Sequence, residues 1–232
     1  MQKFAGILAS LFMASAGALF AGERAVVVEL YTSQGCSSCP PADALFADLA
    51  TQEGVIALAL HVDYWDYIGW KDSFARPEHT DRQKSYAAVI GKRMIYTPQM
   101  IISGKDHVVG NKPDEVAAMI AKNSQGAPDV DLKLSRDGDV ISISATPVSS
   151  EYGSLAVQLV RFEPTQMVDI KRGENAGKVL NYNNIVTDWS RVSDWDGTEP
   201  LDIQVKVMGD QPLAVIIQPN GNGPILAAAK LN

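Results

Sequence analysis

The two cysteines of the chain are close enough in sequence to react with each other. They form the motif Cys36-Ser37-Ser38-Cys39, in which two residues separate the thiols. Thiols at this spacing can close a small disulfide ring. The motif lies between a predicted strand and a predicted helix, and a helix N-terminus stabilises negative charge on a thiolate. A CxxC motif in this position favours thiol–disulfide chemistry, so we expect the pair to be redox-active.

Two other interpretations of the cysteine pair remain open. The disulfide could be purely structural, although so short a ring contributes only ~2 kcal/mol by loop closure. Alternatively, two thiolates can hold a soft metal ion such as Cu(I). Structural zinc needs four ligands, and His61, His79 and His107 have no ligand spacing to one another. We therefore expect no resident metal and no cofactor.

The elements that position the motif belong to a region of alternating strands and helices, residues 24–125. The predicted strands are 25–31, 55–63, 99–103 and 107–110, and the predicted helices are 41–50, 81–90 and 113–121. The first two strands are continuously apolar, which is typical of strands buried on both faces. We expect an α/β domain here. Pro40 and Pro41 disfavour helical geometry in the residue before each of them, which predicts a helix start at Pro41.

The pattern changes after residue 127 to short segments that alternate with period two. The predicted strands are 132–135, 140–144, 155–162, 168–171, 201–207 and 213–217. Few helical segments are expected, so we predict a second, β-rich and sandwich-like domain over residues 128–232.

The N-terminal segment and the charge balance limit the classes of function. Residues 1–21 combine one cation, Lys3, with an apolar run and then small residues, which is typical of a secretory signal peptide. We therefore predict a periplasmic or secreted protein. The net charge of −7 and the absence of a polybasic stretch argue against binding to nucleic acid or to a membrane surface.

The order of predicted elements over residues 24–125 resembles thioredoxin. The resemblance implies that Cys36 is the exposed attacking thiol and that Cys39 is the resolving thiol. It also implies that Thr97-Pro98 is a cis proline packed against the disulfide. Glu29, on the first strand, resembles the buried acid that accepts a proton from the resolving cysteine.

A closer resemblance covers nearly the whole chain after residue 21. Residues 28–43 are similar to the opening of an uncharacterised family of secreted thioredoxin-like proteins, and residues 61–66, 96–99 and 173–177 support the similarity. That family is a domain of unknown function, so the resemblance implies a fold and export but no substrate. The glycine-rich segment 173–177 is expected either to dock the domains or to contact substrate.

The segment after the second strand is rich in aromatic residues and could flank the cysteines. Carboxyl ends of strands face the ligand crevice in an open α/β sheet. Trp65 is therefore a candidate for a substrate groove, together with Tyr96 and Thr97. The alternative is that these aromatic side chains pack the loop onto the domain. His61 is expected to be a core histidine and not a ligand.

These observations predict an exported thiol–disulfide oxidoreductase. Cys36 would attack a substrate disulfide, and Cys39 would resolve the mixed disulfide. The expected partners are protein thiols or disulfides, small thiols, or a redox partner protein. A copper-binding or delivery protein and a binding protein with an inert disulfide are the alternatives.

Overall fold

The computed structural model describes residues 24–148 and 152–231, and the predicted signal peptide lies outside these residues. Three α-helices occur in the described part of the chain: α1 (Pro40–Thr51), α2 (Pro77–Val89) and α3 (Pro113–Asn123). The strands are β1 (Val26–Thr32), β2 (Val55–His61), β3 (Gln99–Ile102), β4 (Asp106–Val109), β5 (Val130–Asp137), β6 (Val140–Pro147), β7 (Leu155–Asp169), β8 (Val179–Trp195), β9 (Leu201–Lys206), β10 (Leu213–Pro219) and β11 (Ala227–Leu231).

The strands form a mixed α/β fold with two sheets. The larger sheet has 8 strands in the order β11-β10-β7-β8-β2-β1-β3-β4, and the smaller sheet has 3 strands in the order β5-β6-β9. In the larger sheet β2 pairs in parallel with both β1 and β8, whereas the other pairings are antiparallel. The prediction of an α/β fold with a β-rich C-terminal region is confirmed at this level.

The C-terminal strands are divided between the two sheets, and four of them continue the larger one. β8 lies beside β2, with Ala59 opposite Ile185, so that β7, β8, β10 and β11 extend the sheet begun by β1–β4. The physical reason is that β2 is buried along its whole length, and a buried strand edge needs a partner for its backbone groups. The division into two domains near residues 125–128 remains a prediction.

The two faces of the central strands pack against different helices. Val28 and Leu30 point into a cluster that includes Phe46 of α1 and Val116 of α3. Side chains of β1 with the opposite parity, such as Tyr31, point into a second cluster on the other face of the sheet. A third cluster lies between the smaller sheet and strands β7, β10 and β11.

Two long strands differ from the predicted pattern. The segments predicted at 155–162 and 168–171 belong to one strand, β7, and its antiparallel partner β8 was not predicted at all. The sequence of β8 contains several Asn, Asp and Ser residues, and most of its side chains are partly exposed. These polar residues obscure the alternation of apolar and polar positions on which strand prediction depends.

Candidate functional site

The CxxC motif closes a disulfide at the N-terminus of α1. Cys36 and Cys39 are bonded, with their Cα atoms 5.4 Å apart, which confirms a CxxC disulfide. The helix begins at Pro40, one residue before the predicted start, and Cys39 is its N-cap. The N–H groups of the first helical turn have no acceptor within the helix, so a proline, which lacks an N–H, costs no hydrogen bond there. The first N–H groups of the helix belong to Ala42 and Asp43. Both donate to the Cys39 carbonyl oxygen, at 2.8 and 3.0 Å.

Both cysteines are fully buried, at 0% exposure each. The thioredoxin resemblance implies an exposed attacking thiol, and the structure differs from it at Cys36. Ser37 and Ser38, between the cysteines, are exposed, so it is the sulfur-bearing side chains that are covered. Gly35 contributes to the close packing, because a Cβ atom there would lie 3.1 Å from Ile68 and 3.2 Å from the Cβ of Trp65.

A loop from the C-terminal region provides a second part of the cover. The β7–β8 loop, residues 170–178, brings the fully buried side chain of Asn175 to the loop between β1 and α1, residues 33–39, which is called the CxxC loop. Its Nδ2 donates to the carbonyl oxygens of Gln34 and Cys36 at 3.0 and 2.9 Å. Its Oδ1 accepts from Lys178 Nζ at 2.9 Å. The glycine-rich segment 173–177 thus contacts the residues that lead into the disulfide.

The buried acid Asp72 also binds the segment that leads into Cys36. Asp72 Oδ2 accepts from the Gln34 N–H at 2.7 Å and lies 2.8 Å from His61 Nδ1, and its Oδ1 accepts from the Phe74 N–H at 2.9 Å. Burial alone would raise the pKa of Asp72, but the charge of His61 and these hydrogen bonds hold it below its usual value. His61 is a fully buried histidine, and Asp72 links it to the CxxC loop.

Asp43, one helical turn after Cys39, is a second buried acid and was missed in the sequence. Its Oδ1 accepts from Thr32 Oγ1 at 2.8 Å, whereas its Oδ2 has no hydrogen-bond partner among the described residues. Burial raises the pKa of Asp43 to about 7, against the opposing effects of His61 and of the Thr32 hydrogen bond. The four-residue spacing from Cys39 was the available signal, because it places both residues on one helix face.

The polar atoms beneath the disulfide form a contiguous buried cluster. Thr32 and His61 are neighbours in the β1–β2 register, and the His61 ring lies 4.8 Å from the ring of Tyr182 on β8. His61 Nε2 and the Tyr182 hydroxyl, like Asp43 Oδ2, lack hydrogen-bond partners in the part of the chain that is described. Burial, with the charges of Asp43 and Asp72, raises the pKa of Tyr182 well above its usual value.

Glu29 lies on the other face of the sheet from α1. It has the parity of Tyr31, and its buried carboxylate accepts four hydrogen bonds, two from Arg82 at 2.7 and 2.9 Å and one each from Tyr31 and Tyr86. Burial opposes the charge of Arg82, but Glu29 and the neighbouring tyrosines raise the pKa of this guanidinium above its usual value. The structure therefore does not bring Glu29 to the α1 face, and its role as proton acceptor remains a prediction.

The predicted groove residues come together beside the CxxC loop. The Thr97-Pro98 peptide bond is cis and Pro98 is buried. Trp65 Nε1 donates to Thr97 Oγ1 at 2.7 Å, so Trp65 contacts both this segment and Gly35. Tyr96, the neighbouring residue, is 38% exposed. A role for these residues in substrate binding remains a prediction.

Residues 24–148 and 152–231 contain neither a metal-binding cluster nor a membrane-spanning helix. No group of three or more His, Cys, Asp or Glu side chains in these ranges could hold a metal ion. In the same ranges no helix combines the length and the apolar character needed to cross a bilayer.

Comparison with known proteins places the chain in a family. The crystal structure of protein AGR_C_4864 from Agrobacterium tumefaciens is 32% identical, with a TM-score of 0.77, over 90% of this chain and 95% of that chain. A hypothetical protein from Pyrococcus horikoshii, PH1083, is 13% identical over 44% of this chain and 83% of its own, with a TM-score of only 0.22. No curated protein matches this chain significantly. The sequence model described as "Protein of unknown function (DUF1223)" matches residues 27–218, and the chain belongs to this family.

Proposed function

We propose that the protein is an exported thiol–disulfide oxidoreductase of thioredoxin-like type, periplasmic or secreted. The observation that carries the proposal is the Cys36–Cys39 disulfide at the N-terminus of α1. Reduction at this position leaves thiolates close to the positive end of the helix dipole, which favours them. The cis Thr97-Pro98 bond beside the CxxC loop supports the thioredoxin-like assignment.

The reaction transfers two electrons between a dithiol and a disulfide. A substrate thiolate attacks Cys36 Sγ, forms a mixed disulfide and breaks the bond to Cys39, which leaves as a thiolate and takes up a proton. A second substrate thiolate then attacks the substrate sulfur of the mixed disulfide and releases Cys36 as a thiolate. The substrate dithiol is oxidised to a disulfide and the CxxC pair is reduced; the reverse sequence reduces a substrate disulfide.

Asp43 is the buried acid best positioned to supply the proton for Cys39. It lies on the same face of α1 as Cys39, and its pKa of about 7 allows the carboxyl group to release and recover a proton near neutral pH. Glu29, the acid implied by the thioredoxin resemblance, is on the other face of the sheet and is paired with Arg82. We therefore assign the proton-transfer role to Asp43.

The redox potential of the disulfide tests this function. The protein is equilibrated with glutathione buffers, and the Cys36–Cys39 bond is quantified by mass after alkylation. We expect a reversible couple between about −120 and −270 mV, the range of working oxidoreductases. Resistance to reduction below about −300 mV would mark a structural disulfide and refute the proposal.

A matched pair of cysteine variants identifies the attacking residue. Cys39→Ala keeps Cys36 and is expected to accumulate mixed disulfides with partner proteins, because the resolving thiol is missing. Cys36→Ala is the control and should accumulate far fewer. Equal trapping by the two variants would contradict the assignment.

Export is tested in the same cultures by the N-terminal sequence of the mature protein, for which we expect removal of about the first 21 residues.

A further inference from the structure

The burial of the disulfide prevents exchange in the conformation described here. An attacking sulfur must reach Cys36 Sγ along the axis of the S–S bond, and both cysteines are fully covered. The inference below rests on the proposed function, because it concerns how a partner thiol gains access to this site. Part of the cover must move before any exchange occurs.

The β7–β8 loop packs beside the CxxC loop and has a compact structure of its own. Ile170 and Asn175 are its buried residues, whereas Arg172, Glu174 and Lys178 are exposed. Several of its backbone hydrogen bonds are internal: Gly177 donates to Ile170, and Ile170 donates to Lys178. The loop can therefore keep its own shape while it separates from the CxxC loop.

The strands that carry this loop extend beyond the rest of the sheet. β8 pairs with β2 at Ile185, and residues 165–169 pair with residues 179–183 as a two-stranded ribbon. Most side chains of residues 163–169 are exposed. On β8, however, the buried side chain of Tyr182 packs against the rings of His61 and Phe74 and anchors the ribbon, so the segment that can move is the loop beyond it, residues 170–178.

Asn175 holds the loop against the CxxC loop, because its side-chain amide has hydrogen-bond partners for both N–H groups and for its oxygen. Its two N–H groups match the two carbonyl oxygens on either side of Gly35, and its own oxygen accepts from Lys178. Gly173 allows the loop to lie against Trp70, since a Cβ atom there would be 3.3 Å from the Cβ of Trp70 and its φ is +77°.

We propose that the β7–β8 loop is a gate that regulates access to the disulfide. In the closed state Asn175 bonds the carbonyls of Gln34 and Cys36, and the disulfide is shielded. Opening breaks both hydrogen bonds, moves the loop away from Gln34 and Cys36 and admits the sulfur of a partner. Only open molecules can react, so the rate of exchange with any thiol is proportional to the fraction of molecules that are open.

The test measures how fast the native disulfide is reduced by dithiothreitol, followed by alkylation and mass. Asn175→Ala removes both hydrogen bonds and is expected to raise the reduction rate about tenfold. Asn175→Asp replaces the two donors with acceptors that face carbonyl oxygens, so its rate should rise at least as much.

The matched control is Asn123→Ala, which removes an equally buried amide far from the disulfide. Asn123 Nδ2 likewise makes two hydrogen bonds, to Asp106 Oδ2 and to the Met119 carbonyl, both at 2.8 Å. If this control accelerates reduction as much as Asn175→Ala, exposure results from general loss of stability and the gate is refuted. A wild-type rate in Asn175→Ala also refutes it.

The gate and the proposed function fail in different ways. The reduction rates report on access alone and need no turnover of substrate. A potential in the oxidoreductase range with unchanged rates in Asn175→Ala would overturn the gate and leave the function standing. Faster reduction of Asn175→Ala with a potential below about −300 mV would support a mobile shield and overturn the catalytic function.

Discussion

The substitution Asp43→Asn should stabilise the oxidised protein at neutral and alkaline pH. Asp43 is buried beneath the disulfide, and one of its carboxylate oxygens has no hydrogen-bond partner among the described residues. Its pKa of about 7 in the folded protein lies above the usual 3.8, so folding favours the protonated form. An asparagine has nearly the same shape and cannot ionise, so it removes the cost of holding a negative charge at this place.

The magnitude follows from the two pKa values. Below about pH 4 the carboxyl group is protonated in both the folded and the unfolded chain, and the charge imposes no cost. Between about pH 4 and pH 7 only the unfolded chain loses the proton, so the free energy of unfolding falls by ~1.4 kcal/mol per pH unit. Above pH 7 the loss is complete, at about 4 kcal/mol for the gap between 3.8 and about 7.

The assay is urea unfolding of the oxidised wild type and of Asp43→Asn from pH 4 to pH 8. The stability difference between them should be near zero at pH 4 and should rise to about 4 kcal/mol at pH 8. Burial lowers the pKa of His79 to about 4, so stability from this residue is lost as the pH falls from about 6.5. That trend is common to both proteins and cancels in the difference.

An exposed acid on the same helix provides the control. Asp48→Asn makes the same chemical change in α1 at an exposed position, where no charge is buried, so the rise expected for Asp43→Asn should be absent. A difference between wild type and Asp43→Asn that stays flat from pH 4 to pH 8 would refute the reasoning. It would show that Asp43 is ionised in the folded protein at the same pH as in the unfolded chain.

Three other substitutions test individual contacts in the structure. Arg82→Ala leaves the buried Glu29 carboxylate without its cation and should lower the free energy of unfolding, measured in urea, by roughly 3–5 kcal/mol. Gly104→Ala adds a Cβ atom that overlaps a backbone carbonyl oxygen, at a φ of +70°, and should lower the melting temperature. Gly173→Ala crowds Trp70 and should accelerate reduction of the disulfide by dithiothreitol.

Each of these variants has a matched control. The controls are Arg93→Ala, Gly54→Ala and Gly177→Ala, in the same order. The arginine is exposed, and the two glycines have φ values of +75° and +81° with no atom within 4 Å of an added Cβ. A test variant that behaves like its control would show that the described contact does not contribute; for the glycines, the effect would then come from backbone conformation alone.

The disulfide and the elements next to it could be predicted because the relevant signals are local. A buried strand, a CxxC pair and a proline-initiated helix follow one another within about thirty residues, and each has its own sequence pattern. The burial of Cys36 could not be predicted. The loop that packs beside Cys36 carries Asn175, which is 139 positions away, and the polar residues of the strand β8 that follows this loop gave no clear strand pattern.

The position of the buried acid shows a second limit of the sequence. All seven residues of β1 are buried, so the strand has no polar face to show which of its side chains point toward α1. Glu29 therefore matched the expected acid by its place in the chain, although the pleat directs it to the opposite face. Asp43 looked like an ordinary acidic residue of a first helical turn.

The pairing of β2 with β8 has a consequence for the newly made chain. Until Ile185 has been synthesised, the edge of β2 that it covers has no partner, and unpaired edges of apolar strands promote association between chains. Contacts between such distant segments also slow folding. The central sheet therefore cannot be completed until most of the chain has been synthesised.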